Sequence, residues 1–472
     1  MPSKGVQCYT YIAVPGCSIE LSVPKQTVVR NELRVFRNED LEVESKNISS
    51  LFDKTGKFSF KVLQNGVMVT EQSIDVNALT GDASDGTMDT IANTPAVLHG
   101  SDVIVTYGFY EAGHGAKGLP ERHQCYIAVV PNYSGWMGMV APVGSRGEEK
   151  RLTSLVVPAA HDVGMNTLQS CNAVLTRAGG AVVTHLINDN RLVSQIADKI
   201  SGPAIALIAP NIVASLAITQ KDSLNTILQI GARYFEFRPA HCHKIVLPVL
   251  PFPDKLYFQH GAIPGMSYEQ FLHDVVQFLV AQPTEIVIVQ LRWDGVPAEC
   301  ANPSDQELGA YLEDALRLSD GSIIAGNLDD LRNATIGQLR RDRKRLIVMS
   351  NVDSLSTYTD PGNATLNGDS IIAAFAGTLT PQNAAGKAFI NIQCQATASN
   401  IPDAVAYSVL SASATTSCLL ATKALCDSKI LPWVRDNVLK TCGQQEMVVV
   451  MNDFFDGATA DIAVQLSRQR LG

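Results

Sequence analysis

The feature that most limits how this chain can fold is a set of six largely apolar runs in its last two-thirds. They are SLVVPAA (154–160), YFEFR (234–238), EIVIVQLRW (285–293), RLIVMSN (345–351), AFINIQC (388–394) and EMVVVMNDF (446–454). Strands with one wet face alternate apolar and polar residues; runs this apolar are read as strands buried on both faces. Between them lie segments with helical periodicity, such as SYEQFLHDVVQFLVAQ (267–282) and DQELGAYLEDALRLS (305–319). Doubly buried strands alternating with amphipathic helices predict a parallel sheet joined by crossover helices. Roughly 320 residues of this pattern fit a TIM-type (β/α) barrel, an irregular one because six strands are evident rather than eight.

Residues 1–145 follow another rule. CYTYIAV, SIELSV, NELRVF, KFSFKVLQNGVMVTEQSI, SDVIVTYGFYE and QCYIAVV are short runs rich in β-branched and aromatic residues. They are divided by clusters such as GDASDG, with Asn65-Gly66 as a hairpin signal. Strands at this spacing without helical periodicity predict an all-β sandwich. QCYTYIAVPG (7–16) and QCYIAVVPN (124–132) are alike enough to be neighbouring strands, which would bring Cys8 near Cys125. A shared strand composition explains the likeness equally well. A polar stretch, PVGSRGEEKRLTS (142–154), separates the two patterns. The expected organisation is therefore a β-sandwich accessory domain over 1–145 and a barrel over 146–472.

Composition narrows the function classes. The formal net charge of -9 and pI near 5.5 argue against a nucleic-acid partner, which leaves a basic footprint, and against polybasic adsorption to anionic lipid. The opening MPSKGVQCYTYIAVPGCSIE lacks the apolar core of a secretory leader. Ten cysteines without CxxC spacing fit reduced, buried thiols, so a cytoplasmic setting is expected. PAIALIAPNIVASLAIT (203–219) is the most apolar stretch, but Pro203, Pro210 and Asn211 interrupt it. It falls short of the roughly 20 clean residues of a spanning helix and reads as a buried helix pair, with membrane-surface contact as the competing reading. His99, His114 and His123 show no metal-site spacing.

A barrel predicts that catalytic side chains stand at the C-terminal ends of its strands. The unusual polar residues fall there. His161 and Asp162 follow the first run, Glu236 and Arg238 sit two apart on the second, and His260 follows the short run KLYFQHG. Arg292 and Asp294 end the next, in VQLRWDG, and Asp453 closes the last run. Each alone has a plain explanation: a histidine after a strand is usually a structural hydrogen-bonder, Glu236–Arg238 an internal ion pair, Asp453 a cap. Two histidines, two arginines and several carboxylates at one rim fit structural accident poorly, because buried charge is costly unless paired or used. A second His-Asp pair, His273-Asp274, lies mid-helix and reads as surface.

VPAAHDVGM, GARYFEFR and FQHG, followed by an amphipathic helix and PTEIVIVQLRWDG, resemble the X region of phosphatidylinositol-specific phospholipase C, in particular its single-region bacterial-type and fungal members. The resemblance covers roughly 152–300 and extends to VVVMNDFF; residues 1–145 lie outside it. It implies phosphodiester cleavage by acid–base catalysis. His161 would be the base toward the inositol 2-hydroxyl, with Asp453 orienting it. His260 would be the acid toward the diacylglycerol oxygen, supported by Asp162. Arg238 would neutralise the phosphoryl oxygens, with Glu236 and Arg292 contacting substrate. The implied product is a cyclic inositol phosphate, and the implied partner is a phospholipid at a peripherally contacted membrane. Arg238 stands where the calcium-dependent animal-type enzymes carry a carboxylate, so no metal and no other cofactor is expected.

Two departures bear on the substrate. Glu236 replaces the family's usual aspartate. Cys394, Gln395 and Ala396 stand where the bacterial enzymes carry an inositol-binding aspartate and a stacking tyrosine. The alternatives are the same chemistry on another head group, or a catalytically inactive protein that binds lipid head groups. For membrane access, HKIVLPVLPFPDKLYF overhangs the expected rim; its proline-stiffened apolar run suits either shallow insertion or packing over the barrel.

Overall fold

Strand pairing sorts the first 131 residues into two five-stranded sheets. The computed structural model describes residues 4–50, 52, 54–88, 96–100, 102–112, 120, 122–177, 182, 185, 213, 217–359, 367–396, 418–443 and 446–472. One sheet orders β4 (Arg37–Glu42), β1 (Gly5–Ile12), β10 (His123–Pro131), β9 (Val103–Tyr110) and β8 (Val97–His99). The other orders β3 (Gln26–Arg30), β2 (Cys17–Val23), β5 (Thr55–Gln64), β6 (Val67–Asn77) and β7 (Ala83–Gly86). The β5–β6 hairpin turns on Asn65 and Gly66, at φ 51° and 80°, the two left-handed residues that a type I′ turn demands. β1 and β10 pair in parallel with Cys8 opposite Cys125, so the two similar sequence runs are neighbours.

The burial of these strands shows which sheet faces what. β2 alternates buried and half-buried residues, as expected of a sheet with one wet face. Every residue of β9 is buried, and so is β10 up to its last. Cys125, Ile127 and Val129 face the second sheet, sharing a core with Ile19, Leu21, Phe58 and Phe60. Their alternates Ala128 and Val130, with Tyr11 and Ile104, join the large core of the C-terminal part. The central strands of the first sheet, β1, β10 and β9, thus form a middle layer, apolar on both faces.

The six apolar runs become strands of one seven-stranded sheet. Its order is β17 (Ala325–Gly326), β18 (Leu346–Met349), β16 (Val287–Leu291), β12 (Tyr234–Phe237), β11 (Val156–Ala160), β20 (Met447–Asn452) and β19 (Phe389–Gln393), all pairs parallel. Among the described residues the sheet does not close into a barrel; a single parallel bridge, Ser356 to Phe389, brings the segment beyond β18 back to the far edge. KLYFQHG contributes β14 (Tyr257–His260), which leaves this sheet and pairs antiparallel with β13 (Pro239–Ala240) and β15 (Ile263–Ser267). The two expected helices form at Tyr268–Ala281 and Asp305–Arg317, capped by Ser267 and Ser304. His273 bridges them, 3.2 Å from Asp314 and half-buried rather than free on the surface.

One buried ion pair locks the connection between the two parts. Arg233, fully buried, donates to Glu285, to the carbonyls of Leu228 and Ala232, and to those of Tyr133 and Ser134. Glu285 in turn accepts from the Met137 and Gly138 amides. Such a pair adds little over an apolar equivalent, but removing one partner strands the other charge at a cost of about 3–5 kcal/mol. Most of 203–219, expected as a helix pair, lies outside the described residues; Val213 and Ala217 are buried. No helix among the described residues is long and apolar enough to cross a membrane.

Candidate active site

β11 and β20 run side by side in register, Ala160 opposite Asn452, so the residues that follow them emerge together. This puts His161 beside Asp453, with 2.7 Å between Nδ1 and Oδ1. A carboxylate accepting from Nδ1–H leaves the lone pair of a neutral imidazole on Nε2, facing the cleft. The small Ala159 and Ala160 are fully buried under this corner. Gln220 staples it: its Nε2 donates to the carbonyls of His161 and Asn452, and its Oε1 accepts from the Phe455 amide.

Asp162 turns the chain at φ 43°, a left-handed conformation that aspartate tolerates better than most residues. The turn directs its carboxylate away from His161 Nδ1 and toward the second histidine. Asp162 Oδ2 lies 3.6 Å from His260 Nε2, and Oδ1 lies 3.2 Å from Arg238 Nη2. His161 Nε2 is 3.8 Å from Asp162 and 3.6 Å from Glu236. Glu236 is only 1% exposed; it accepts from the Asp162 amide and lies 3.7 Å from Arg238. It forms the floor of the cleft rather than its wall. The structure thus assembles His161, Asp162, Glu236, Arg238, His260 and Asp453 at one end of the sheet.

Arg292 stands further along the rim. It is paired with Asp294 through Nε (2.8 Å) and Nη2, lies 3.4 Å from Asp353, and approaches Glu236 at 3.9 Å. Between the two arginines sits Tyr358, which no sequence pattern singled out. Its hydroxyl accepts from Arg238 Nη2 at 3.1 Å and meets His161 Nε2 at 3.3 Å, while the Arg292 guanidinium stacks 3.9 Å from its ring centroid. Asp353, Gln220 and Thr219, whose hydroxyl donates to the Asp162 carbonyl, were equally silent in the sequence: isolated hydrogen bonds and ion pairs leave no periodic signature. Cys394 and Gln395 are buried behind the strand end.

The electrostatics follow from burial set against neighbours. Burial disfavours a charged His161, yet Asp162 and Asp453, with Glu236, outweigh it and lift the imidazole to about 10. Burial likewise disfavours ionised Asp162, but Arg238, His161 and His260 hold its carboxyl well below the usual range. Glu236 goes the other way. Burial lifts it to about 7, with the Asp162 charge adding to the rise and Arg238 opposing it. The two carboxylates therefore divide: Asp162 is ionised, and Glu236 takes up a proton near neutrality.

His161, Asp162 and Glu236 also form the one group among the described residues whose ligand atoms converge closely enough to hold a metal ion. The donor set does not fit a resident divalent cation. Arg238 already lies within 3.7 Å of both carboxylates and fills the cation's place with a fixed positive charge.

No family model matches the chain, and no curated protein does. Among solved structures it is similar to the phosphatidylinositol-specific phospholipase C from Listeria monocytogenes, at 14% sequence identity and a TM-score of 0.42, over 71% of this chain and 98% of that one. It is also similar to the Staphylococcus aureus phosphatidylinositol-specific phospholipase C in a structure concerned with modulating that protein's membrane binding, at 14% identity and a TM-score of 0.41, over 71% and 97% of the two chains.

Proposed function

We propose that the chain is a phosphodiesterase that cleaves phosphatidylinositol-type phospholipids by paired histidine acid–base catalysis, on the rim of an irregular TIM-type barrel. The observation that carries this is the convergence of two histidines and an arginine on Asp162, which lies 3.6 Å from His260, 3.8 Å from His161 and 3.2 Å from Arg238, while Asp453 holds Nδ1 of His161. An in-line displacement at phosphorus needs a base at the entering oxygen and an acid at the leaving one. His161 Nε2 takes the proton of the substrate's 2-hydroxyl as that oxygen bonds to phosphorus. The bond from phosphorus to the glycerol oxygen breaks, and His260 protonates it. Arg238 holds the phosphoryl oxygens with a rigid fork of donors. The Tyr358 hydroxyl occupies the place on His161 Nε2 that the attacking hydroxyl takes, so substrate displaces it. Phosphorus NMR of phosphatidylinositol vesicles tests the proposal: a cyclic inositol phosphate appears. Vesicles bound without turnover would favour a lipid-binding module, and turnover of a different diester would move the head group.

The raised His161 titration sets the pH dependence. A base must be neutral, so kcat/KM is low while His161 holds its proton and rises as pH climbs through its pKa. The ascending limb therefore lies above the ordinary imidazole value of about 6.5. Asp453→Asn removes a stabilising negative charge, and the limb moves to lower pH while kcat falls. A pH–rate series checks both; a wild-type limb at or below the ordinary value removes His161 as the titrating base.

Membrane contact has a candidate in the 245–253 loop. Leu250 and Phe252 pack half-buried on a small cluster with Ala240, Cys242 and Tyr257, whereas Leu247 is 42% exposed. Insertion therefore falls to Leu247 rather than to the residues beneath it. Leu247→Asp weakens vesicle binding by roughly tenfold or more, the order of one leucine's transfer energy, with hydrolysis of a soluble substrate retained. Unchanged vesicle sedimentation removes the loop from the contact.

A further inference from the structure

We infer that a buried charge cluster behind Asp453, roofed by the first N-terminal sheet, positions that carboxylate, so that the N-terminal part belongs to the catalytic unit. The inference rests on the roles proposed above for His161 and Asp453.

The segment leaving β20 points two side chains in opposite directions. Asp453 reaches forward to His161, while Asn452 reaches back. Asn452 Nδ2 lies 3.1 and 3.0 Å from the two oxygens of Asp427 and 3.1 Å from Thr459 Oγ1. Asp427 is held by Lys423, one turn earlier on the helix Cys418–Thr441, at 2.6 Å. Lys423 also lies 3.6 Å from Asp456, whose Oδ1 accepts from the amide and hydroxyl of Thr459 and caps the helix Gly457–Leu471. The three charged side chains are 2%, 8% and 6% exposed. An apolar cluster of the same volume would stabilise the fold at least as well. A network like this one fixes direction, because each hydrogen bond accepts only a narrow geometry. What it fixes here is the backbone at Asn452 and Asp456, on both sides of Asp453.

The first N-terminal sheet closes the other side of the cluster. Gly457 donates its amide to Thr106 Oγ1 on β9 at 3.0 Å. A Cβ at Gly457 would come within 2.6 Å of Val130 on β10, so the helix start is pressed directly onto this sheet. The Lys423 ammonium sits 5.4 Å from the Tyr126 ring centroid. One turn further on, Asp461 accepts from the hydroxyls of Tyr11 and Tyr133 and from Arg34. Burial works against the Lys423 charge, but Asp427 and Asp456 outweigh it, and the Asp453 charge adds to them. The cluster is therefore electrically as well as mechanically joined to the proposed His161–Asp453 pair.

The test uses the full chain with labelled histidines and follows the His161 resonance by NMR through a pH titration, assigned by its loss in His161→Asn. Lys423→Met and Thr106→Val remove the internal cation and the N-terminal acceptor, and Lys423→Arg keeps the charge. Loss of a nearby positive charge would by itself raise the His161 midpoint, so the positioning role is read as a net fall in Lys423→Met, a fall in Thr106→Val, which removes no charge, and recovery in Lys423→Arg. In each variant kcat for phosphatidylinositol falls with the midpoint while KM holds. A cluster that only stabilises the fold would leave the midpoint at the wild-type value in Thr106→Val and leave it unchanged or raised in Lys423→Met, and that result overturns the inference. If Lys423→Met does not fold, Thr106→Val alone decides. The midpoint needs no turnover, so a shifted midpoint in a protein that cleaves no phosphatidylinositol keeps the positioning and removes the substrate reading. Turnover with an unshifted midpoint does the reverse.

Discussion

His161→Ala lowers turnover of phosphatidylinositol vesicles by on the order of 10²–10⁴, the usual contribution of a positioned proton-transfer group. The loss falls in kcat, because the alanine leaves Arg238 and Arg292 in place to hold the phosphate while the attacking hydroxyl keeps its proton. His161 is 14% exposed at its side chain, so its removal opens a small hollow at the cleft rather than a void in the core. Circular dichroism of the variant should therefore match the wild type. Phosphorus NMR reads the outcome directly: the cyclic product forms with the wild type and not with the variant. An alanine variant that works at the wild-type rate takes His161 out of the chemistry, and with it the role of Asp453. Asp453→Asn should lose less, since an amide oxygen can still accept from Nδ1–H.

What the sequence disclosed, and what it concealed, follows from the range of each interaction. The six apolar runs all became strands of one parallel sheet, because double burial writes itself into consecutive residues. The two-residue β17 has no period to read. Closure into a barrel is a property of register between distant strands, and the sheet among the described residues stays open between β17 and β19. His260 stands at a strand end, but its strand pairs antiparallel with β13 and β15, a choice of partner that composition does not record. The charged residues of the rim were visible because ionisable groups at the ends of apolar runs are unusual. Tyr358 and Lys423 were not. Tyr358 lies in an ordinary polar loop, and Lys423 resembles any helical lysine until its surroundings are known. His273 was misjudged for the same reason, since its partner Asp314 comes from another helix.

Arg238 carries the other large effect. Arg238→Ala removes the donor fork from the phosphoryl oxygens, and kcat/KM falls by roughly 10²–10³, the cost of losing one oriented charge-stabilising donor. Part of this loss arises before substrate arrives. Asp162 and Glu236 then lose the guanidinium they share, and the proton that Glu236 takes up near neutrality is held to higher pH. Arg238→Lys separates the two contributions. A lysine keeps the charge that lets Asp162 stay ionised, but its point charge cannot match two phosphate oxygens at once. It should fold as the wild type does, bind anionic vesicles, and still lose most of the rate. Because Arg238 stands where a cation would sit between Asp162 and Glu236, the wild-type rate should also be indifferent to chelators and to added calcium. Hydrolysis followed with EDTA and then with excess calcium settles the point. If EDTA abolishes turnover and calcium restores it, the arginine is a structural counter-ion and the charge at phosphorus is met by something else.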